Sequence, residues 1–282
     1  MDKAAAPKYA VDVSLARLEE SELLGSRDLY FLCSFPKCGR TYLRFILAHY
    51  FRLRFKLKTA VDFDSVFSFI PNYMGGLRRG VPALSFNGVT GLPAILCSHT
   101  IYSSEMYGTK PVLLLVRSPH DVMVSWFFHK TKHQREFKEG LGAFLRSPEF
   151  GIETYVRFLN AWAGALPSRR HHVASYELLL TSPSETVRDI LGFMNVAVNG
   201  RLLDQSLSAA SFAAMLEQEQ KTPVPDEEYD VAIRDARRVR RGVIGGYRDV
   251  MEADDAAYVS RVCESGLSAG AKRLLNDAMV EW

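Results

Sequence analysis

The sequence lacks long apolar runs, paired cysteines and a large excess of one charge. The apolar runs, of which Val112–Val116 is as long as any, are far shorter than the about 20 residues that span a bilayer, and no apolar leader follows Met1. The four cysteines form no CxxC or zinc-binding spacing, and no Asn-x-Ser/Thr sequon is present. A formal net charge of +3 favours neither nucleic acid nor a membrane surface as a partner. We therefore expect a cytoplasmic protein with free thiols and no membrane span.

Short apolar segments alternate with helical patterns. The segments 29–34, 94–97, 112–116 and 172–176 predict strands, and the first and third are apolar throughout, as in a sheet covered on both faces. An apolar stripe from Leu43 to Phe51 predicts a helix that begins near Thr41. Ser-Pro pairs at 118–119 and 182–183 predict two more helix starts, the first with Ser118 as N-cap and the second with a capping box. This order predicts an α/β fold, a single-domain three-layer αβα sandwich with a central parallel sheet.

The chain shows no linker between independent domains. We expect one domain over 1–282, with a core of about 27–265 and an N-terminal extension of 1–26. The stretch 71–93 is rich in Gly, Pro and aromatic residues and is typical of a loop that borders a pocket. The polar stretch 218–240 predicts a mobile flap.

The first predicted strand continues into the sequence FPKCGRT before its helix begins. A tight turn with Gly39 at a helix N-terminus presents unpaired backbone N–H groups, and Lys37 and Thr41 add a charge and a hydroxyl. The sequence is not a Walker A motif, because Lys37 precedes Gly39 and no glycine lies upstream. Taken alone, the pattern is equally typical of an anion site and of an ordinary strand–helix turn.

The longer sequence SFPKCGRTYLR resembles the 5′-phosphosulfate loop of sulfotransferases, which commonly reads T/S-[YF]-P-K-S-G-T-T-W. Cys38 stands for the family's Ser, Arg40 for its first Thr, and Tyr42 for its Trp. The resemblance implies a P-loop-like phosphosulfate loop. The loop residues implied to hold the carrier are Lys37, Cys38, Gly39, Arg40, Thr41 and Tyr42.

Two further segments resemble blocks of the same family, in the family's order. The segment 117–125 resembles R-x-P-x-D-x-x-x-S, which implies that Arg117 and Ser125 hold the carrier's 3′-phosphate. The segment 240–248 resembles R-K-G-x-x-G-x-W-K, which implies phosphate contacts from Arg240, Arg241 and Gly242. Without the resemblance, the usual interpretation is that Arg117 is a surface charge at a strand end and Ser125 a hydroxyl inside a helix. The later arginines then form a solvated basic face.

Two shorter segments and one histidine complete the resemblance. The sequence SFAAM is similar to the family's T-S-F-x-x-M and implies that Phe212 packs on adenine, while SYE implies that Tyr176 reaches the nucleotide. His99 follows the second strand, at the edge where open α/β sheets bind ligands, and a neutral imidazole there can take a proton from a hydroxyl. It resembles the family's K-T-H segment, whose His is the general base, although Cys97 replaces the Lys. A structural histidine at a strand end remains the alternative.

The implied function is in-line transfer of a sulfuryl group from 3′-phosphoadenosine 5′-phosphosulfate (PAPS) to a hydroxyl of a small molecule. His99 is the implied base and Lys37 the group that stabilises the departing phosphate, with no metal. A nucleotide or small-molecule kinase and a non-catalytic nucleotide-binding module are the alternatives. His129 and His133 have metal-like spacing but no third ligand, so we expect a solvated basic helix end.

The acceptor and the oligomeric state are not determined by the sequence. Several aromatic residues suggest an apolar or aromatic acceptor, and they are equally explained as residues that pack the loops. These residues are Phe67, Phe69, Tyr73, Phe86, Tyr102 and Tyr107.

Overall fold

The computed structural model describes residues 14–19 and 21–282, so residues 1–13 and 20 of the predicted N-terminal extension lie outside the described residues. Four strands form one parallel sheet in the order β2-β1-β3-β4. Each observed strand agrees with its prediction to within one residue at either end. The strands are β1 (Leu29–Ser34), β2 (Ala94–Ser98), β3 (Val112–Val116) and β4 (His171–Ser175).

Helices connect the strands and cover the sheet. Before β3 they are α1 (Leu15–Glu19), α2 (Arg40–Arg54), α3 (Val66–Phe69) and α4 (Ser104–Tyr107). From β3 to β4 they are α5 (Pro119–Phe128), α6 (Leu141–Leu145) and α7 (Ile152–Ala165), with a π-helical turn at His129–His133. After β4 they are α8 (Tyr176–Thr181), α9 (Pro183–Phe193), α10 (Gly200–Ala209), α11 (Phe212–Lys221), α12 (Ala253–Gly266) and α13 (Ala269–Asp277).

Both faces of the sheet are covered. Every residue of β1 is buried, and successive side chains contact helices on opposite sides, as strand geometry requires. The Tyr30 ring packs against Phe193 of α9, while the Phe31 ring packs against Tyr107 of α4, which in turn contacts Trp162 of α7. The predicted single-domain, three-layer α/β fold with a parallel sheet is therefore confirmed.

The helices α5 and α9 begin at the predicted Ser-Pro pairs, but not by the predicted capping. Neither Ser118 nor Ser182 makes a side-chain cap hydrogen bond. The backbone N–H of Ser118 instead donates to a carboxylate oxygen of Glu177 at 2.9 Å, so a residue from α8 supplies an acceptor at this helix start. Within the part of the chain that the structure describes, no helix is both long and apolar enough to cross a bilayer.

Candidate active site

The carboxyl ends of the four parallel strands meet along one edge of the sheet, where a cavity of about 380 Å³ opens. His99 follows β2, the loop to α2 follows β1, Arg117 follows β3 and Tyr176 follows β4. All of them line the cavity. Because the strand order is β2-β1-β3-β4, His99 and Tyr176 follow the two edge strands of the sheet. Lys37 and Arg117 follow the two central strands and lie between them.

The cavity brings together the site residues predicted from the sequence, with one exception. Cys38 does not line it: the side chain is 1% exposed and packs in the hydrophobic core, where burial raises the pKa of the thiol. The Cys38 side chain therefore does not line the cavity, and its predicted place in the loop that holds the carrier stays a prediction. The predicted residues that line the cavity are Lys37, Gly39, Arg40, Thr41, Tyr42, His99, Arg117, Ser125, Tyr176, Phe212, Arg240, Arg241 and Gly242.

The loop between β1 and α2 is fixed by its backbone and by two side chains above it. Lys37 and Gly39 have φ angles of 70° and 92°, in the left-handed region that favours glycine. A Cβ atom at Gly39 would lie 2.3 Å from Cδ2 of Tyr176, so only glycine allows this approach. Nη1 of Arg117 donates to the Lys37 carbonyl oxygen at 3.1 Å, and the Arg117 guanidinium lies 4.1 Å from the centre of the Tyr176 ring. Together these contacts fix the turn so that the N-terminus of α2 lies at the cavity.

The Lys37 ammonium lies in a cationic environment. Loss of water from around it, followed by the charge of Arg238, lowers its pKa to about 7, although Glu227 and Glu219 act in the opposite direction. A lysine in this state gains charge readily when an anion arrives, because the anion favours the protonated form. The arrangement therefore suits a phosphate.

The hydrogen bonds of His99 determine which ring nitrogen carries the proton and which carries the lone pair. Its Nδ1 lies 2.8 Å from the carbonyl oxygen of Ser34, and a carbonyl can only accept, so Nδ1 carries the proton. The lone pair is therefore on Nε2, on a ring that is accessible from the cavity. The loss of bulk water around the ring at the cavity wall, and then the charge of Arg40, hold the pKa of His99 well below its usual range. The ring is a neutral imidazole, able to accept a proton.

Asp121 has a role that the sequence analysis missed. Its two carboxylate oxygens accept the backbone N–H groups of Gly245 and Tyr247, at 2.8 and 2.9 Å. One of the same oxygens lies 3.7 Å from Nη2 of Arg117. Asp121 thus ties the segment 240–248 to α5 and to the end of β3. The signal was its place in the segment 117–125, four residues after Arg117.

The residues of the segment 240–248 that were predicted to contact phosphate lie in the wall of the cavity. The Arg240 guanidinium lies 4.5 Å from the centre of the Phe128 ring, and Arg241 donates to the Gly246 carbonyl oxygen at 3.2 Å. Gly242 has a φ of 66°, and a Cβ atom there would lie 2.5 Å from Cδ2 of Phe212. The Phe212 side chain is 43% exposed, which leaves part of the ring open for a flat ligand.

Two carboxylates hold the segment 218–240: Glu219 joins its two ends, and Glu227 binds it to Arg79 and His133 outside the segment. Glu219 is fully buried and accepts the backbone N–H groups of Arg238 and Val239 at 2.6 and 2.9 Å. Glu227 pairs with Arg238 and lies 2.5 Å from Nη1 of Arg79. Burial alone would raise the pKa of Glu227, but Arg238 and His133 hold it well below its usual range. The segment carries cavity residues on this anchored backbone, and its mobility stays a prediction.

The expected solvated helix end at His129 and His133 is wrong. Both side chains are buried, because the segment 218–240 covers the π-helical turn on which they lie. Nδ1 of His133 lies 2.6 Å from the Ala236 carbonyl oxygen, and Nε2 lies 2.8 Å from a carboxylate oxygen of Glu227. His129 lines the cavity, where burial and then the charge of Lys37 lower its pKa.

The sequence analysis also missed Arg44 and Asn72. Arg44 lies one turn after Arg40 on α2, is 4% exposed, and donates from Nη2 to Oδ1 of Asn72 at 2.8 Å. Its guanidinium lies 4.7 Å from the centre of the Phe67 ring. A charged residue within the apolar run LRFILA was the signal, since arginine is rarely buried without a reason.

Comparisons with known proteins agree with this fold. A family model described as a sulfotransferase domain matches residues 27–274. A search of curated protein sequences found no match. Among solved structures, a mouse sulfotransferase, SULT7A1, complexed with PAP has a TM-score of 0.62 at 16% identity, over 93% of each chain.

Two further structures are similar at the level of fold. A retinol dehydratase in complex with androsterone and the inactive cofactor PAP has a TM-score of 0.54 at 16% identity, over 92% of this chain and 84% of that one. An Arabidopsis thaliana putative steroid sulphotransferase has a TM-score of 0.51 at 16% identity, over 87% and 78%. Because the family model covers most of the chain, and these structures share its fold, the protein belongs to the sulfotransferase family.

Proposed function

We propose that the protein transfers a sulfuryl group from PAPS to the hydroxyl of a small-molecule acceptor, by in-line displacement without a metal. The observation that carries the proposal is the single cavity that joins the Lys37 loop, the His99 imidazole and Arg117 at the carboxyl edge of the sheet. Two of the similar structures hold PAP, the desulfated form of this donor, which supports the choice of carrier.

The residues present fit a carrier with two phosphate groups. Lys37, at the end of β1, and Arg117, at the end of β3, provide two separate cationic positions along the sheet edge. The N-terminus of α2 adds backbone N–H groups beside Lys37. The partly exposed ring of Phe212, held over Gly242, offers an aromatic face for adenine.

PAPS supplies a sulfuryl group on a phosphate leaving group. In the proposed reaction, Nε2 of His99 takes the acceptor's hydroxyl proton as that oxygen bonds to sulfur. Lys37 stabilises the negative charge that collects on the 5′-phosphate as its bond to sulfur breaks. Arg117 and Ser125 orient the carrier through its 3′-phosphate. Charge and positioning then supply most of the rate enhancement, as in phosphoryl transfer.

The setting that we propose is the reducing cytoplasm. All four cysteines are free and buried, which suits a compartment where thiols stay reduced. The proposed sulfotransferase domain spans 1–282, with its core over about 27–265.

The test compares His99→Ala with His171→Ala. His171 is an exposed imidazole at the amino end of β4, whereas the cavity lies at the carboxyl ends of the strands. It therefore controls for the loss of a histidine as such. The enzyme, a metabolite mixture and PAPS are incubated together, and mass spectrometry detects acceptors that gain one sulfuryl group. A parallel reaction with ATP and Mg²⁺ tests the kinase alternative.

We expect transfer from PAPS alone, with His171→Ala unchanged and His99→Ala slower by about 100-fold or more. Stabilisation of the protein by PAP should be the same in all three proteins, because His99 does not hold the carrier. Near-normal sulfuryl transfer by His99→Ala would show that this imidazole is not the base. Transfer from ATP instead of PAPS, or PAP binding with no transfer at all, would refute the proposed activity.

A further inference from the structure

Two guanidinium groups in the cavity share one neutral partner. Arg40 and Arg44 lie one turn apart on α2, and both line the cavity. The same oxygen, Oδ1 of Asn72, accepts from Nη2 of each, at 3.4 and 2.8 Å. Within residues 14–19 and 21–282, no carboxylate forms an ion pair with either arginine, and Nε of the nearly fully buried Arg44 has no hydrogen-bond partner. The pair therefore carries two positive charges without a counter-charge.

This arginine pair lies on the β2 side of the sheet. Asn72 forms a parallel bridge with Cys97 of β2, which is two residues before His99. Arg117 and Tyr176, in contrast, follow β3 and β4 on the other side of the Lys37 loop. If the carrier's nucleotide lies over β3 and β4, the arginine pair is beyond the reacting centre, on the side from which the acceptor approaches His99.

The surroundings of the pair are mixed, because Phe63, Val66 and Phe67 line the cavity together with Arg44 and Arg79. Of the six aromatic residues that suggested an apolar acceptor, only Phe67 lines the cavity. Its ring contacts the Arg44 guanidinium and lies 5.6 Å from that of Arg79. The other five line no part of it. They pack elsewhere, as the pairs Phe31–Tyr73, Phe69–Phe86 and Tyr102–Tyr107 illustrate. Loop packing explains most of the set.

Two like charges in a poorly hydrated cavity are unfavourable until an anion joins them. Burial, opposed in part by Cys97 and reinforced by the charge of Arg44, lowers the pKa of Arg40 to about 9. Guanidinium groups bind carboxylate, sulfate and phosphate through paired N–H donors, so one oxyanion can satisfy both side chains.

We propose that the acceptor carries an acidic group, a carboxylate, sulfate or phosphate, which Arg44 and Arg40 bind while its hydroxyl faces Nε2 of His99. The inference rests on the proposed function and names its substrate class as an acidic hydroxyl compound. The competing occupant of the arginine pair is the sulfuryl group of the donor itself, and the experiment separates the two.

The experiment uses Arg44→Gln, with Arg54→Gln as the matched control. Arg54 lies at the exposed end of the same helix and lines no part of the cavity. The probes are the hydroxybenzoate isomers, the corresponding neutral hydroxybenzamides, and the hydroxyphenyl phosphates and sulfates. Sulfuryl transfer from PAPS gives kcat/KM for each acceptor. Calorimetry measures binding of the same acceptors to PAP-loaded enzyme, and also the affinities for PAP and PAPS.

We expect the wild-type protein and Arg54→Gln to prefer at least one acid series over the amides by about tenfold or more. Arg44→Gln should lose that preference while binding PAP normally, which also shows that it is folded. The phosphate, sulfate and carboxylate series identify the preferred oxyanion. An equal response to acids and amides in the wild-type protein, or a preference that survives in Arg44→Gln, overturns the inference and leaves the proposed function intact.

Two other results distinguish the remaining cases. If Arg44→Gln weakens PAPS binding more than PAP binding and keeps the acid preference, the arginine pair serves the sulfuryl group and the inference is wrong. If no acceptor is sulfated by any protein, the proposed function fails, and binding to the PAP-loaded enzyme decides the inference. An acid preference that is lost in Arg44→Gln then supports it, and the absence of that preference overturns it.

Discussion

The Lys37 ammonium predicts how capture of the donor depends on pH. Its pKa of about 7 means that the free enzyme carries this charge below pH 7 and loses it above. Since kcat/KM for PAPS reports the ionisation of the free enzyme, it should fall above pH 7 by about tenfold per pH unit, or about 100-fold by pH 9. On the acid side the low pKa of His99 keeps Nε2 unprotonated, so kcat/KM should stay level below the usual imidazole value of about 6.5.

The assay measures initial rates at limiting PAPS over a range of pH, for the wild-type protein, Lys37→Arg and Lys221→Arg. A guanidinium stays charged throughout this range, so Lys37→Arg should lose the basic limb even if its overall rate is lower. Lys221, exposed at the end of α11 and paired with Glu217, is the control and should keep the wild-type profile. A basic limb near the ordinary lysine value of about 10.4, or one near 7 that persists in Lys37→Arg, would refute the reasoning.

Three substitutions test the parts of the structure that hold the site. Gly39→Ala should destabilise the protein by about 1–2 kcal/mol or more, because the backbone there is left-handed and the new Cβ would clash with Tyr176, and it should weaken PAP binding. Gly88→Ala, which has open space around it, is the control and should change neither the thermal unfolding nor PAP binding. Asp121→Asn should cost about 1–3 kcal/mol and lower PAP affinity, because two backbone N–H groups lose a charged acceptor; an unchanged melting temperature would contradict this. Glu227→Gln should speed amide hydrogen exchange over 222–240 and leave the sheet unchanged, whereas equal exchange in both proteins would show that this carboxylate does not anchor the segment.

Local sequence was sufficient to locate the four strands and the loop between β1 and α2. The runs 29–34 and 112–116 are apolar throughout because both faces of these strands are covered, and periodicity records that burial directly. Gly39 was identifiable because a tight strand–helix turn requires its left-handed backbone. The capping of α5 was not, because the acceptor comes from Glu177, which is 59 residues away along the chain.

Long-range contacts also explain the errors. His129 and His133 were predicted to be exposed to solvent because their own segment is polar. Their burial depends on the segment 218–240, which lies about a hundred residues later in the chain. Cys38 was grouped with the other loop residues because it lies within the motif. Its side chain packs in the core, while its neighbours Lys37 and Gly39 line the cavity. A sequence motif does not show which side chains of a turn face the core and which face the cavity.

The sequence by itself determined the strand–loop–helix order, the glycine at Gly39 and the presence of basic residues in the right blocks, since these follow from local backbone and burial requirements. Only the tertiary structure decided which charges are paired. Asp121 bonds to the segment 240–248, while Arg40 and Arg44 converge on one amide and, among the residues that the structure describes, form no ion pair with a carboxylate. Pairing depends on distances between segments that the strand order brings together, and that order is a property of the folded chain.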